Sequence, residues 1–203
     1  MTQGTALTIG RVHYDGGGDW YADPSSLPNL LRAVRERTRL QTAEHERVVR
    51  LADAALWETP YLYVTGHGNV LLQPEEARAL RRHLEQGGFL HADDCYGMDR
   101  SFRREIAKVF PDRPLVEVPL AHPVYHVVYE FPRGLPKVHE HDGLPAQGFG
   151  VFLDGRLVLY YSYQTDLGDG WEDADVHRDP EPVREQALRM GVNLFVYAVS
   201  GAA

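Results

Sequence analysis

Apolar and polar positions alternate along this chain with two different periods. Ala6 to Tyr14 alternates loosely and runs into Gly16-Gly17-Gly18, which predicts a strand. Leu27, Leu30, Leu31 and Val34 recur at helical spacing behind Ser25 and Ser26, residues that can cap a helix. Arg47 to Leu51 reads as a short strand. Tyr61 to Thr65 is a brief apolar run closed by Gly66-His67-Gly68, as expected of a buried parallel strand. Pro74 suits a first helical turn, Glu75 and Glu76 favour its positive end, and Ala77, Leu80 and Leu84 keep the period until Gly87-Gly88. Phe89 to Ala92 is a further apolar run. Asp99 then stands as the cap of a helix with Phe102, Ile106, Val109 and Phe110 on one face.

Seven prolines between Pro111 and Pro145 exclude long regular elements there. Gly150 to Leu153 and Arg156 to Ser162 flank Asp154-Gly155, a strong hairpin signal. An acidic stretch covers Asp166 to Glu181, and Pro182 opens a last helix with Val183, Ala187, Met190, Leu194 and Tyr197 facing inward. Strands alternating with helices predict an α/β fold, with a mostly parallel sheet covered on both faces and a late antiparallel hairpin. No repeat or linker divides residues 1–203, so one domain is expected.

Composition narrows the function classes. With 203 residues, 43% hydrophobic and 25% charged, the chain can bury a core without staples, and its single cysteine excludes an internal disulfide. A net charge of −8 argues against nucleic-acid or anionic-membrane binding, which need a basic face. No run approaches the roughly 20 apolar residues of a membrane span, so no membrane insertion is expected. Met1 to Gly4 lack the basic flank and apolar run of a leader. The expectation is a cytoplasmic protein as displayed, or a periplasmic one if a signal peptide was removed. A small-molecule ligand or a protein remains as partner.

Ligands of open α/β sheets bind beyond the carboxyl ends of the strands. Three loops there are rich in Gly and reactive groups: Asp15 to Trp20, Gly66 to Asn69, and Asp93 to Gly97. Gln164 to Asp173 joins them only if the strand from Arg156 to Ser162 runs parallel to the others. The pocket so formed takes His67, Asp93, Asp94 and Cys95 as candidate catalytic residues. Gly17, Gly18, Asp19, Trp20, Asp166, Trp171 and Glu172 are its candidate ligand-binding residues.

Each candidate has a plainer alternative. A Cys at a strand-to-helix turn can be an activated nucleophile, but Asp93 and Asp94 would raise its pKa. His67 between two glycines can be a base, or a histidine satisfied by a carbonyl. Gly16-Gly17-Gly18 can cradle a phosphate, although Asp15 and Asp19 would repel one. His139 and His141, two apart on extended chain, can grip one divalent metal ion, the one cofactor these residues suggest, or can lie in an exposed turn. Such a pair needs a third donor, for which His177, Asp166, Glu172 and His67 are candidates. Asp166 to Asp173 superficially resembles a calcium loop but has His177 where a bidentate Glu belongs, so a solvated acidic turn is expected. Trp171 and Trp20 must each anchor a loop or line a pocket.

The strings Gly16-Gly17-Gly18-Asp19-Trp20-Tyr21, Thr65-Gly66-His67-Gly68, Pro136-Lys137-Val138-His139-Glu140-His141-Asp142-Gly143 and Asp166-Leu167-Gly168-Asp169-Gly170-Trp171-Glu172-Asp173 resemble those of a bacterial domain-of-unknown-function family. The resemblance covers nearly the whole chain. It implies a flavodoxin-like three-layer sandwich similar to class I glutamine amidotransferases, and it leaves an extracytoplasmic location open. Those enzymes place Gly-x-Cys-x-Gly at the nucleophile turn; here Cys95, Tyr96 and Gly97 fit, but Asp93 replaces the first glycine. Their His-x-Glu string reads His139-Glu140-His141 here, so glutamine hydrolysis is not expected. Two other function classes stand beside the pocket: a non-catalytic protein-interaction domain of an envelope-associated system, and a metal-binding domain built on His139 and His141.

Overall fold

A computed structural model describes residues 6–201; the leader reading of Met1 to Gly4 lies outside the described residues. Seven strands form one sheet: β1 (Ile9–Val12), β2 (Arg47–Val49), β3 (Tyr61–Val64), β4 (Phe89–Asp93), β5 (Val116–Glu117), β6 (Gln147–Leu153) and β7 (Arg156–Tyr163). Their order is β2-β1-β3-β4-β7-β6-β5. The first four strands and β7 pair in parallel, while β6 is antiparallel to both β7 and β5.

Among the described residues, five α-helices flank the sheet: α1 (Ser26–Arg37), α2 (Pro74–Glu85), α3 (Asp99–Val109), α4 (Leu167–Trp171) and α5 (Glu181–Ser200). Strand residues divide between two cores by parity, because side chains of a strand point to alternate faces. Tyr61, Tyr63, Phe89 and Tyr160 pack with Leu30 and Val34 of α1 and with Met190, Leu194 and Phe195 of α5. Leu62, Val64, Leu90, Ala92 and Tyr161 pack with Leu80 and Leu84 of α2 and with Phe102 and Ile106 of α3. Burial on both faces explains why these strands read as apolar runs rather than as alternating ones.

The predicted strands and helices occur with shifted ends, and the hairpin turns at Asp154-Gly155, where both residues take the positive φ that a type I′ turn requires. Asp99 does not cap α3 but opens it, accepting from Arg103 Nε at 2.6 Å and from Tyr161 at 3.0 Å. Ser25 sits at the cap position of α1, but its hydroxyl serves Glu172 at 3.1 Å instead of the helix. The first part of the acidic stretch after β7, residues 166–172, is not a solvated turn, whereas residues 173–178 are exposed. That first part folds into α4 with Leu167, Gly168, Gly170 and Trp171 buried. No helix among the described residues is long and apolar enough to cross a membrane.

Candidate functional site

Because β7 runs parallel to β4, four Gly-rich loops leave the same edge of the sheet. The loop after β3 packs between the other two early ones: Gly18 and Asp19 donate backbone N–H groups to Asn69 and His67 carbonyls at 3.1 and 3.3 Å. The Gly18 and Asp19 amides are therefore committed and are not free to hold a phosphate. Asp19 accepts from the His67 backbone and lies 3.0 Å from His67 Nδ1. His67 is 57% exposed in its side chain and turns to Asp19 rather than to Asp93 or Asp94. Trp20 is half-buried and stacks on His13 with ring centroids 4.1 Å apart.

Asp93 and Asp94 are neighbours in sequence with opposite surroundings. Asp93, at the last position of β4, accepts from Ser162 Oγ, from Gly168 N at 2.6 Å, from Leu167 N at 3.3 Å and from Tyr63 at 3.3 Å. It ties β7 and α4 to β4. Burial pushes its carboxyl up to about 7, against the donors from Ser162 and Gly168. A Cβ on Gly168 would lie 2.6 Å from Tyr63 Oη and 2.9 Å from Asp23 Oδ2, so only glycine lets α4 approach this carboxylate. Behind it, His91 bridges Tyr61 and Ser162 at 3.1 and 2.8 Å, and burial holds its imidazole neutral, down to about 3.

Asp94 points the other way. It is 1% exposed, and its Oδ1 has no hydrogen-bond partner among the described residues. Burial and the nearby Asp99 raise its carboxyl to about 6, with His141 pulling in the opposite direction. Asp94 lines a cleft of about 280 Å³ together with Tyr96, Asp99, Arg100, Asp142, Tyr163 and Gln164. Asp142 closes one wall, accepting from Tyr96 at 2.9 Å and from Gln164 Nε2 at 2.9 Å. Tyr96 and Gln164 hold φ of +45° and +61°, strained for side chains of that size. A larger groove of about 590 Å³ lies by the far end of α3, but its lining, Phe110, Arg113 and Leu115 among others, includes no buried titratable group.

Cys95 is 2% exposed, 3.5 Å from Asp23 Oδ2 and 3.6 Å from Asp169 Oδ1. Burial, then Asp23 and Asp169, drive its thiol far above the usual range, the reverse of an activated nucleophile. Asp23 is also pushed up, to about 8, by burial and by Asp169, Asp93 and Glu172. Asp169 pairs with it in the opposite sense: burial is outweighed by His139, and its carboxyl stays below the ordinary value.

His139 and His141 both reach Asp166, with Nδ1 and Nε2 respectively 3.2 and 2.7 Å from its Oδ2. The pair therefore shares a carboxylate. Among the described residues three overlapping groups are spaced for a metal, His139-Asp169-His177, Asp23-Glu172-His177 and Asp23-Cys95-Asp169, of which the first alone includes His139 and offers two imidazoles. The two hydrogen bonds to Asp166 and Asp169 raise His139 to about 11. Glu172 is buried and lies 2.9 Å from His177 Nε2. Trp171 is fully buried, donates from Nε1 to Ala187 at 2.8 Å and packs on Tyr63, so it anchors its loop and does not line the cleft.

The strand edge thus gathers Asp93, Asp94, Cys95, Asp166 and Glu172, with His67, Asp19 and Trp20 on its outer rim. Sequence reasoning missed Asp23, Asp142, Arg100 and the role of Asp169. Asp23 lies in the string Asp23-Pro24-Ser25-Ser26, and its φ of +57° is a local signal that only the backbone reveals.

A family described as Domain of unknown function (DUF4159) matches residues 8–199. No curated protein matches the chain.

Proposed function

The chain belongs to this family of domains of unknown function, and from the strand-end geometry we propose that it binds a small polar, carbohydrate-like or peptide-like molecule in the cleft beside Asp94 and acts on it by acid–base hydrolysis. The observation that carries this reading is Asp94 itself: a buried carboxyl with an unpartnered oxygen, lining a cleft, with its proton held to about pH 6. A group poised near working pH both gives and takes protons efficiently.

The rest of the lining favours the carbohydrate-like class. Asp94, Asp99 and Asp142 outnumber Arg100, which disfavours phosphorylated ligands, and Tyr96, half exposed, offers a ring face to an apolar sugar surface. Cys95 supports the exclusion of glutamine hydrolysis, since it is buried and held as a thiol. The order β2-β1-β3-β4-β7 reproduces the 2-1-3-4-5 pattern of flavodoxin-like sheets and supports the amidotransferase-like superfamily reading.

The test is a thermal-shift screen of neutral saccharides and short peptides, repeated on Asp94→Asn and Arg100→Ala, followed by hydrolysis assays on any binder. Stabilisation by one ligand that both variants lose is the expected result. Stabilisation that both variants retain would place binding elsewhere.

A further inference from the structure

We infer that His139, Asp169 and His177 form a site for one first-row divalent metal ion of the zinc class, beside the cleft and separate from it. The three side chains come from different segments: the loop before β6, the short helix α4, and the loop leading into α5. Their donor atoms all lie within 4.8 Å of one another. His139 Nδ1 and His177 Nδ1 stand 3.0 and 3.7 Å from the same oxygen, Asp169 Oδ2. Metal–ligand bonds of about 2.1 Å arranged tetrahedrally put neighbouring donors about 3.4 Å apart, so these spacings are already those of a coordination edge.

The far side of each imidazole carries the second observation. His139 Nε2 lies 3.1 Å from both oxygens of Asp179, and His177 Nε2 lies 2.9 Å from Glu172 Oε2. A metal-bound histidine characteristically donates its other N–H to a carboxylate, which fixes the ring and the tautomer. Here both rings do so, with both Nδ1 atoms turned to Asp169.

A third observation concerns the carboxylate beside those rings. Asp166 is 5% exposed; its Oδ2 lies 3.2 Å from His139 Nδ1, and its Oδ1 has no partner among the described residues. Asp23, Asp166, Asp169, Glu172 and Asp179 crowd this corner, and among the described residues no Lys or Arg nitrogen lies within 4.0 Å of their carboxylates. Carboxylates at that density keep their protons or attract a cation. Two imidazole donors select zinc-like ions over calcium and magnesium, which take all-oxygen sets.

The test is calorimetric titration of chelator-treated full chain with Zn²⁺, Mg²⁺ and Ca²⁺ at neutral pH. One zinc ion per chain should bind, with no saturable heat from magnesium or calcium. His177→Ala, at an exposed position, should weaken zinc binding by about tenfold or more, whereas His45→Ala, exposed and away from the cluster, should not. A second readout needs no variant: ¹⁵N imidazole shifts of His139 and His177, and not of His45, should move with one equivalent of zinc. Absence of saturable binding, binding indifferent to His177→Ala, or shifts confined to other histidines would overturn the assignment. Failure here would leave saccharide or peptide binding at Asp94 standing, and failure of that binding would leave the metal site standing.

Discussion

His141 Nε2 lies 2.7 Å from Asp166 Oδ2, the same oxygen that His139 Nδ1 approaches at 3.2 Å. One carboxylate thus links the cleft, where Tyr96 packs on His141 with ring centroids 4.7 Å apart, to the His139–Asp169–His177 corner. The site is dominated by carboxyls that are expensive to ionise in the fold, and its pH behaviour follows.

Asp94, Asp93 and Asp23 have folded values near 6, 7 and 8, all above the unfolded value of 3.8. Each prefers its proton in the folded chain, so the stability they contribute is complete below pH 4 and is lost as pH rises through 6 to 8. His139, raised to about 11, adds loss in the same direction above pH 6.5. Carboxyls held low, such as Glu105 and Glu185, act only below their ordinary range, where their contribution is lost as pH falls. Imidazoles that burial keeps neutral, His91, His83 and His122, act in the opposite sense up to pH 6.5, so the melting temperature of chelator-treated protein should fall between pH 6.5 and pH 8. A rise over that interval would contradict the assignment.

Asp94→Asn separates the charge from the shape. A shift of about two pKa units corresponds to about 3 kcal/mol once the group ionises. The variant should be as stable as wild type at pH 4 and more stable by about 1–3 kcal/mol at pH 8 in urea unfolding. An equal loss of stability at both pH values would show that Asp94 serves the fold as an ion.

Much of this architecture was legible beforehand. The apolar runs at β3 and β4 and the period of α2 and α3 follow from side-chain parity alone, and the convergence of loops follows once β7 is parallel. The chemistry at the edge was less so. Asp169 and Glu172 read as solvated because their neighbours in sequence are polar, whereas α4 turns them inward by burying Leu167 and Trp171. Cys95 and Asp93 read as reactive from their turn, but long-range partners, Ser162 and Gly168 for one and Asp23 and Asp169 for the other, determine their state. Local sequence does not encode such pairings.

Cys95 should resist alkylation in the folded chain. Iodoacetamide at pH 8 should modify it only when denaturant is present, because the residue is 2% exposed and burial suppresses the thiolate. Rapid native labelling, followed by mass spectrometry, would restore a nucleophilic role.

The two loop tryptophans should differ. Trp171→Ala removes a fully buried indole and its bond to Ala187, and should cost about 3–5 kcal/mol in denaturant unfolding. Trp20→Ala, half-buried against His13, should cost clearly less. Equal losses would mean that the outer rim is as rigid as the core beneath it.

The most direct measurement is the carboxyl ¹³C titration of Asp94, assigned by comparison with Asp94→Asn. A buried proton-transfer carboxyl beside the cleft should titrate near pH 6. A midpoint near 3.8, the value of a carboxylate free in water, would remove the basis for acid–base chemistry at this site.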